Sequence, residues 1–185
     1  ERHHKETFTI YQKQLDHINK ILDELDHPNK KSPRKPNWKN EKEELDKLQN
    51  GDTVEIEVIS DVYLLDEEEK RQSYIELKSP KPNKDQSKVS KEKMLKIYCG
   101  KNTSINTDIL FSLPFNPYGE RSKYNHPFPK SYFDMVSSDC VKMGDEYWDY
   151  VGKTEGTYEE LIKLTEEIGK VTKKKTLQYL KYGIE

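Results

Sequence analysis

The chain of 185 residues has no alanine, only two cysteines, eight glycines and no apolar run of 18 residues. Each shortage excludes something. Without such a run, no segment can cross a bilayer as a helix. Cys99 and Cys140 cannot build a disulfide framework and lack zinc-ligand spacing, so a reducing, cytoplasmic setting is expected, with both thiols buried. No secretory leader is legible, and the chain opens on Glu1, so further residues are expected before it. Neither sign of charge is in excess: 32 basic residues face 34 acidic ones for a net −2. That balance excludes a globally basic nucleic-acid binder but leaves room for a locally basic face. The missing alanine beside abundant lysine reads as a bias of the source genome. What is present in quantity is aromatic: 12 Tyr, 5 Phe and 2 Trp. Together with Ile, Leu and Val gathered in periodic segments, they exclude full disorder.

Residues 7–26 place Phe8, Tyr11, Leu15, Ile18, Leu22 and Leu25 at alternating spacings of three and four, which predicts one helix. Its stripe would pack on a core or, alternatively, on a second copy. Residues 27–40, with three prolines, basic side chains and no acid, predict a loop. A short polar helix follows at about 41–49. The period then changes: 53–65 alternates and is β-branched, the acids at 66–69 suggest a turn, and 73–79 reads as the returning strand. Pro80 and Pro82 end it. A helix at 85–98 would turn Val89, Met94, Leu95 and Tyr98 inward. Residues 105–113 read as a strand and 114–131 as a loop. Tyr147 and Trp148 read as packing residues of an amphipathic helix. Thr157 with Glu160 suggests a capping box for a helix closed by Gly169, and a last helix spans about 171–182. The order predicts an α/β fold, a sheet covered by helices. Residues 1–49 form an N-terminal helical segment with a basic loop, and 50–185 the core with C-terminal helices, all within one structural domain.

Chemistry concentrates at Asp61, Glu76 and Lys78. The chain holds two acid-x-Lys triplets, Glu68-x-Lys70 and Glu76-x-Lys78, and only the second lies on an apolar strand. There Glu76 and Lys78 share a face, because side chains repeat every second residue. A turn centred near residues 68 and 69 puts Asp61 across from Glu76, with β-carbons about 5 Å apart, and Asp66 across from Arg71 at the tip. Two carboxylates and an ammonium on one face are costly unless something uses them. A hard divalent cation suits them, since Mg²⁺ takes one or two carboxylates and keeps several waters. The lysine can then hold or help deprotonate a water, as phosphodiester hydrolysis requires. An edge hairpin with a solvated polar face is the alternative.

Asp61, fourteen residues and then Glu76-Leu77-Lys78 resembles the metal-binding signature of the PD-(D/E)XK nuclease superfamily. Ser60 stands where that signature has proline, and one long strand precedes the motif where the superfamily core has two. Further along, YIELKSPKPNKDQSK (74–88), PFNPYG (114–119), YFD (132–134) and KMGDEYWDYVGKTEGTYEELI (142–162) are together similar to TdeIII-type type II restriction endonucleases. The resemblance covers about residues 50–170. It implies a restriction-endonuclease-like mixed central sheet flanked by helices, with the nuclease core in 50–185. It further implies a Mg²⁺-dependent homodimer that cuts double-stranded DNA at a short palindrome of GGNCC type, leaving a 5′-phosphate and a 3′-hydroxyl. Asp61 and Glu76 would hold the metal, with the Leu77 carbonyl a further ligand, while Lys78 orients the attacking water.

In the loop 116–130, Arg121 is the leading candidate to read guanine, with Asn116, Tyr118, Lys123 and Asn125 beside it. Lys84, Lys88 and Lys91, with Lys81, Lys93, Lys96 and Lys101, suit phosphate contacts. A loop bonded through its own turns and a solvated helix face are the corresponding alternatives. The five histidines show no paired metal spacing, and neither an organic cofactor nor a membrane is expected. Competing functions are a repair or junction-resolving nuclease and a non-catalytic DNA-binding or interaction module.

Overall fold

A five-stranded sheet in the order β1-β2-β3-β4-β5 organises the first of two compact units, residues 1–143 and 144–185. The computed structural model describes residues 2–29 and 31–182. Strand β1 (Arg2–Tyr11) pairs antiparallel with β2 (Thr53–Asp66), and β2 antiparallel with β3 (Arg71–Leu77). Helix α3 (Lys84–Gly100) then crosses over to β4 (Asn106–Leu113), parallel to β3, and the three-residue β5 (Val141–Met143) lies parallel to β4. This is the mixed α/β sheet flanked by helices that the sequence implies.

Strand β1 corrects the reading of residues 7–26. Phe8 and Ile10 alternate along a strand and are buried, and helix α1 (Gln12–Asp26) begins only at Gln12. The Gln14 side chain caps the start by accepting from the Tyr11 amide at 3.2 Å. A run of apolar residues this short satisfies both periods, and the β-branched Thr7, Thr9 and Ile10 decide it. β1 also supplies a second strand before Asp61. The stripe does not face a second copy: Ile18, Ile21, Leu22 and Leu25 are all under 5% exposed within this chain's own core.

Helix α2 (Trp38–Asp46) starts three residues earlier than expected because Asn37 caps it, its side chain accepting from the Asn40 amide at 2.9 Å. The hairpin register sets Asp66 opposite Arg71 and Val62 opposite Ile75, as the turn arithmetic requires. α3 packs across β1 to β4 with Met94, Leu95 and Ile97 inward. Val89 corrects the expected helix face: it is 48% exposed, while Ser87, Ser90 and Lys91 turn inward. At Gly100 α3 lies so close to β1 that an added β-carbon would overlap that of Phe8. The loop after β4 holds one 3₁₀ turn (Arg121–Lys123) and the short helix α4 (Pro127–Lys130).

In the second unit, α5 (Asp145–Gly152) carries buried Tyr147, and α6 (Thr157–Tyr182) follows. α6 runs through Gly169 instead of ending there, at a propensity cost of about 1 kcal/mol that a 26-residue helix absorbs. Thr157 is no capping-box residue either, since it lies within the helix and its hydroxyl donates to the Thr154 carbonyl at 2.8 Å.

Candidate active site

Strand β2 changes partners at Asp61. It pairs with β1 as far as Val62 and with β3 from Val62 onward, and Asp61 faces no residue in either ladder. The burial alternation that runs to Ser60 is lost from Asp61 to Leu64. His3, the residue of β1 skipped opposite Asp61, has a φ of 55°, so the irregularity is shared by both strands. Beyond Val62–Ile75 the β2–β3 ladder stops, and the Leu77 amide, which would have bonded β2, is taken by the Asp61 carboxylate at 2.9 Å. The next amide, Lys78, bonds the Ser112 carbonyl of β4 at 3.0 Å. Asp61 therefore reaches the end of β3 as a side chain where the backbone has let go.

Three predicted residues meet there. Lys78 Nζ donates to Asp61 Oδ2 at 2.5 Å and to Glu76 Oε2 at 3.1 Å. Two residues of α3 complete the cluster, Lys93, which the sequence suggested for phosphate contact, and Ser90, which it did not single out. Lys93 Nζ donates to both Glu76 oxygens, at 3.0 and 3.3 Å, and the Ser90 hydroxyl donates to Oε2 at 3.2 Å. Their spacing of three along α3 was the available signal, because it puts both on the face that a crossover helix lays over the acid-x-Lys strand. Asp61, Glu76, Lys78 and Lys93 line an open groove of about 500 Å³ with Leu77, Ser79, Asp85, Gln86 and Val89, while Ser90 is buried behind it.

Electrostatics here are unequal. Glu76 is 1% exposed; burial pushes its carboxyl above the ordinary range, Lys78 and Lys93 pull it back only in part, and Asp61 adds to the rise. Burial also opposes the Lys78 ammonium, but Glu76 and Asp61 outweigh it and its pKa stands above that of ordinary lysine. Lys78 therefore stays an ammonium at neutral pH and acts as a hydrogen-bond donor. Among the described residues no three His, Cys, Asp or Glu side chains converge as a metal cage. The donor set is two carboxylates, each carrying an ammonium, and it fits a hard cation that retains waters better than a fully protein-ligated one.

The other predicted residues divide. Lys91 does not face solvent: it is 1% exposed and ion-paired with Glu41, which is fully buried, so a phosphate contact is closed to it. Lys84 and Lys88 both pair with Asp26 at the end of α1, Lys88 at 2.7 Å. Arg121 turns into the protein, its Nε donating to the Met135 carbonyl at 2.9 Å and its guanidinium also bonding the Ser138 carbonyl. Asn116 closes a local turn, donating to the Gly119 carbonyl at 2.9 Å and accepting from the Tyr118 amide at 3.0 Å. Tyr118 is half-buried against Tyr124, with Lys81 over its ring. Lys123, paired with Glu120, and Asn125 are exposed. Tyr124 and His126 bond the carbonyls of Pro80 and Pro82, which sets this loop beside the segment leaving β3.

A mixed sheet that ends in a paired-carboxylate fork is the architecture the sequence motif implies, and comparison with known proteins gives the family. Residues 1–169 match the HinfI type II restriction endonuclease family, and the chain belongs to it. Over 98 residues it is 35% identical to the type II restriction enzyme HgiCII of Herpetosiphon aurantiacus, a match covering 52% of this chain and 35% of that enzyme. HgiEI and HgiBI from the same organism match over the same length at 35% and 34% identity. The match spans about a third of the length of these relatives. No solved structure matches the chain. The TdeIII-type resemblance is thereby supported at the level of type II restriction endonucleases, with HinfI the family matched.

Proposed function

We propose that this chain is a type II restriction endonuclease that hydrolyses phosphodiester bonds in double-stranded DNA at a short G/C-rich palindrome. The TdeIII-type blocks favour a GGNCC-type site. The observation that carries the reading is the convergence of Asp61 and Glu76, from two strands, on the Lys78 ammonium in an open groove. Asp61 and Glu76 would hold Mg²⁺, with the Leu77 carbonyl a further ligand. Bound there, the ion supplies Lewis-acid polarisation of the phosphate and a more acidic bound water. Lys78, kept protonated by its two carboxylates, donates to the attacking water and fixes its position. Lys93 and Ser90 hold the Glu76 carboxylate in the orientation that faces Asp61. In the DNA complex Lys84, Lys88 and Lys123 meet phosphates and Asn125 reaches a base edge, while Arg121 and Asn116 fix the shape of the loop that presents them. The working form is a homodimer, since a two-fold assembly reads a palindrome most simply. The unpaired thiols Cys99 and Cys140 suit a cytoplasmic setting.

Digestion of a mixed-sequence plasmid with purified protein and Mg²⁺ tests this directly. Discrete bands are expected, and none with chelator. A smear or structure-dependent cutting would indicate a repair-type relative instead. A complete absence of cutting together with retained DNA binding would leave a non-catalytic module.

A further inference from the structure

We propose that Lys93 is a counter-charge that keeps the Asp61–Glu76 fork from holding a divalent cation on its own and links cation loading to a phosphate in the groove. The proposal rests on the reading of Asp61 and Glu76 as cation ligands. Among the described residues, Lys78 and Ser90 both donate to Glu76 Oε2, whereas only Lys93 donates to Oε1, at 3.0 Å. With a second contact of 3.3 Å to Oε2, the Lys93 ammonium sits astride the edge by which a carboxylate holds an ion. An ammonium and a cation compete for those lone pairs and repel each other.

Charge leads to the same place. Asp61 and Glu76 bring two negative charges, Lys78 and Lys93 two positive ones, and the four cancel. Asp85 on the groove wall adds one negative charge. Mg²⁺ gives up water reluctantly and gains little from so nearly neutral a cluster. A phosphodiester in the groove changes the balance, because it brings negative charge and offers Lys93 an acceptor in place of Glu76. Lysine suits that exchange, being a compact charge on a flexible stem, and the Lys93 side chain is 26% exposed along the groove. Lys78 and Ser90 still hold Oε2 when Lys93 turns away, which leaves Oε1 open to the ion. Cation and DNA then load together.

The test is Mn²⁺ binding to the full chain without DNA, followed by loss of the free-ion paramagnetic resonance signal from about 0.05 to 20 mM. Lys93→Met and Lys93→Gln should each bind at least about tenfold more tightly than wild type, since a unit charge beside the ion is gone. Lys93→Arg keeps the charge and should bind as weakly as wild type. Adding Glu76→Gln to Lys93→Met should abolish the gain. A lysine that only braced Glu76 would give the opposite sign, because its loss would loosen a ligand. Equal or weaker binding by both neutral variants therefore overturns the proposal. Coupling supplies the second measurement, duplex affinity by fluorescence anisotropy with and without about 5 mM Ca²⁺. The tightening by Ca²⁺ should be at least about threefold smaller in Lys93→Met than in wild type, and equal tightening overturns the link to phosphate. Plasmid digestion keeps the two readings apart. Wild-type cutting with neutral variants that bind Mn²⁺ no tighter refutes the role of Lys93 alone. Tighter binding by those variants with no cutting by wild type supports the counter-charge and refutes the nuclease.

Discussion

Lys91 and Lys93 lie two residues apart on α3, and each ends on a buried carboxylate, yet their surroundings differ in kind. Lys91 meets Glu41 of α2 where both are within 1% of full burial, with the rings of Trp38 and Phe133 about the ammonium at 5.2 and 5.1 Å. One charge answers one charge, and nothing can enter. Lys93 meets Glu76, but Glu76 also binds Lys78, Lys78 also binds Asp61, and the ammoniums and Asp61 remain 15 to 26% exposed along the groove. A closed pair is a structural clamp. An open cluster whose charges are shared and reachable can exchange a partner for a ligand, which separates a candidate site from a buried salt bridge.

Breaking the closed pair should produce the largest effect on folding. Lys91→Ala leaves Glu41 uncompensated in the core and should cost about 3–5 kcal/mol in urea denaturation. Lys91→Met with Glu41→Leu should recover nearly all of it, because apolar residues of similar volume remove both charges together. A loss below about 1 kcal/mol in the single variant would mean that water reaches the pair.

The open cluster should respond in the opposite sense. Glu76→Ala should lower cleavage at least about a thousandfold, roughly 4 kcal/mol of barrier, while urea denaturation shifts little because Lys78 keeps Asp61. Asp61→Asn should fall nearly as far, having removed a full charge from the same groove. Asp66→Asn should cut normally: it sits opposite Arg71 at the hairpin tip, five residues or about 16 Å along the strand. Plasmid cleavage rates at saturating Mg²⁺ compare the three, and an essential Asp66 would refute the assignment.

What could be read from sequence follows the same division. The period-two run of β2 and the turn acids were enough to fix the hairpin register, and so the meeting of Asp61 with Glu76 and Lys78. β1 was hidden because Phe8 and Tyr11 happen to continue the three-four spacing of α1 into a strand. β5 was hidden because three residues carry no period. Lys91, Lys93 and Arg121 were misjudged because a long charged side chain on a helix or loop looks the same whether it ends in water, on a carboxylate or on a carbonyl. Only the element packed opposite decides it, and that is a long-range fact: Glu41 lies fifty residues before Lys91, and Ser138 seventeen after Arg121. Local period exposes local pairing, whereas charge destinations depend on topology.

The smallest expected effect lies at Asp26, where structure and the proposed DNA contacts compete for the same lysines. Hydrogen bonds from Lys84 and then Lys88, with Tyr132 also donating at 2.9 Å, hold its carboxyl well below the ordinary value of 3.8. A depressed carboxylate stabilises fully above that ordinary value and loses its contribution as pH falls below it and on through the lowered value of the folded state. Asp26→Asn should therefore lower Tm by about 2–4 °C at pH 7, the scale of 1 kcal/mol for a chain of this size. The gap to wild type should close as the pH is taken from about 4 towards 2. Thermal melts at three pH values check it, and a constant gap would assign the loss to packing. The same variant frees two ammoniums. If Lys84 and Lys88 meet phosphates, Asp26→Asn should bind duplex DNA at least as tightly as wild type. Each of Lys84→Ala and Lys88→Ala should then flatten the slope of log Kd against log salt by about 0.9. Unchanged slopes in both alanine variants would show that the lysines serve Asp26 alone, making this cluster a second closed clamp.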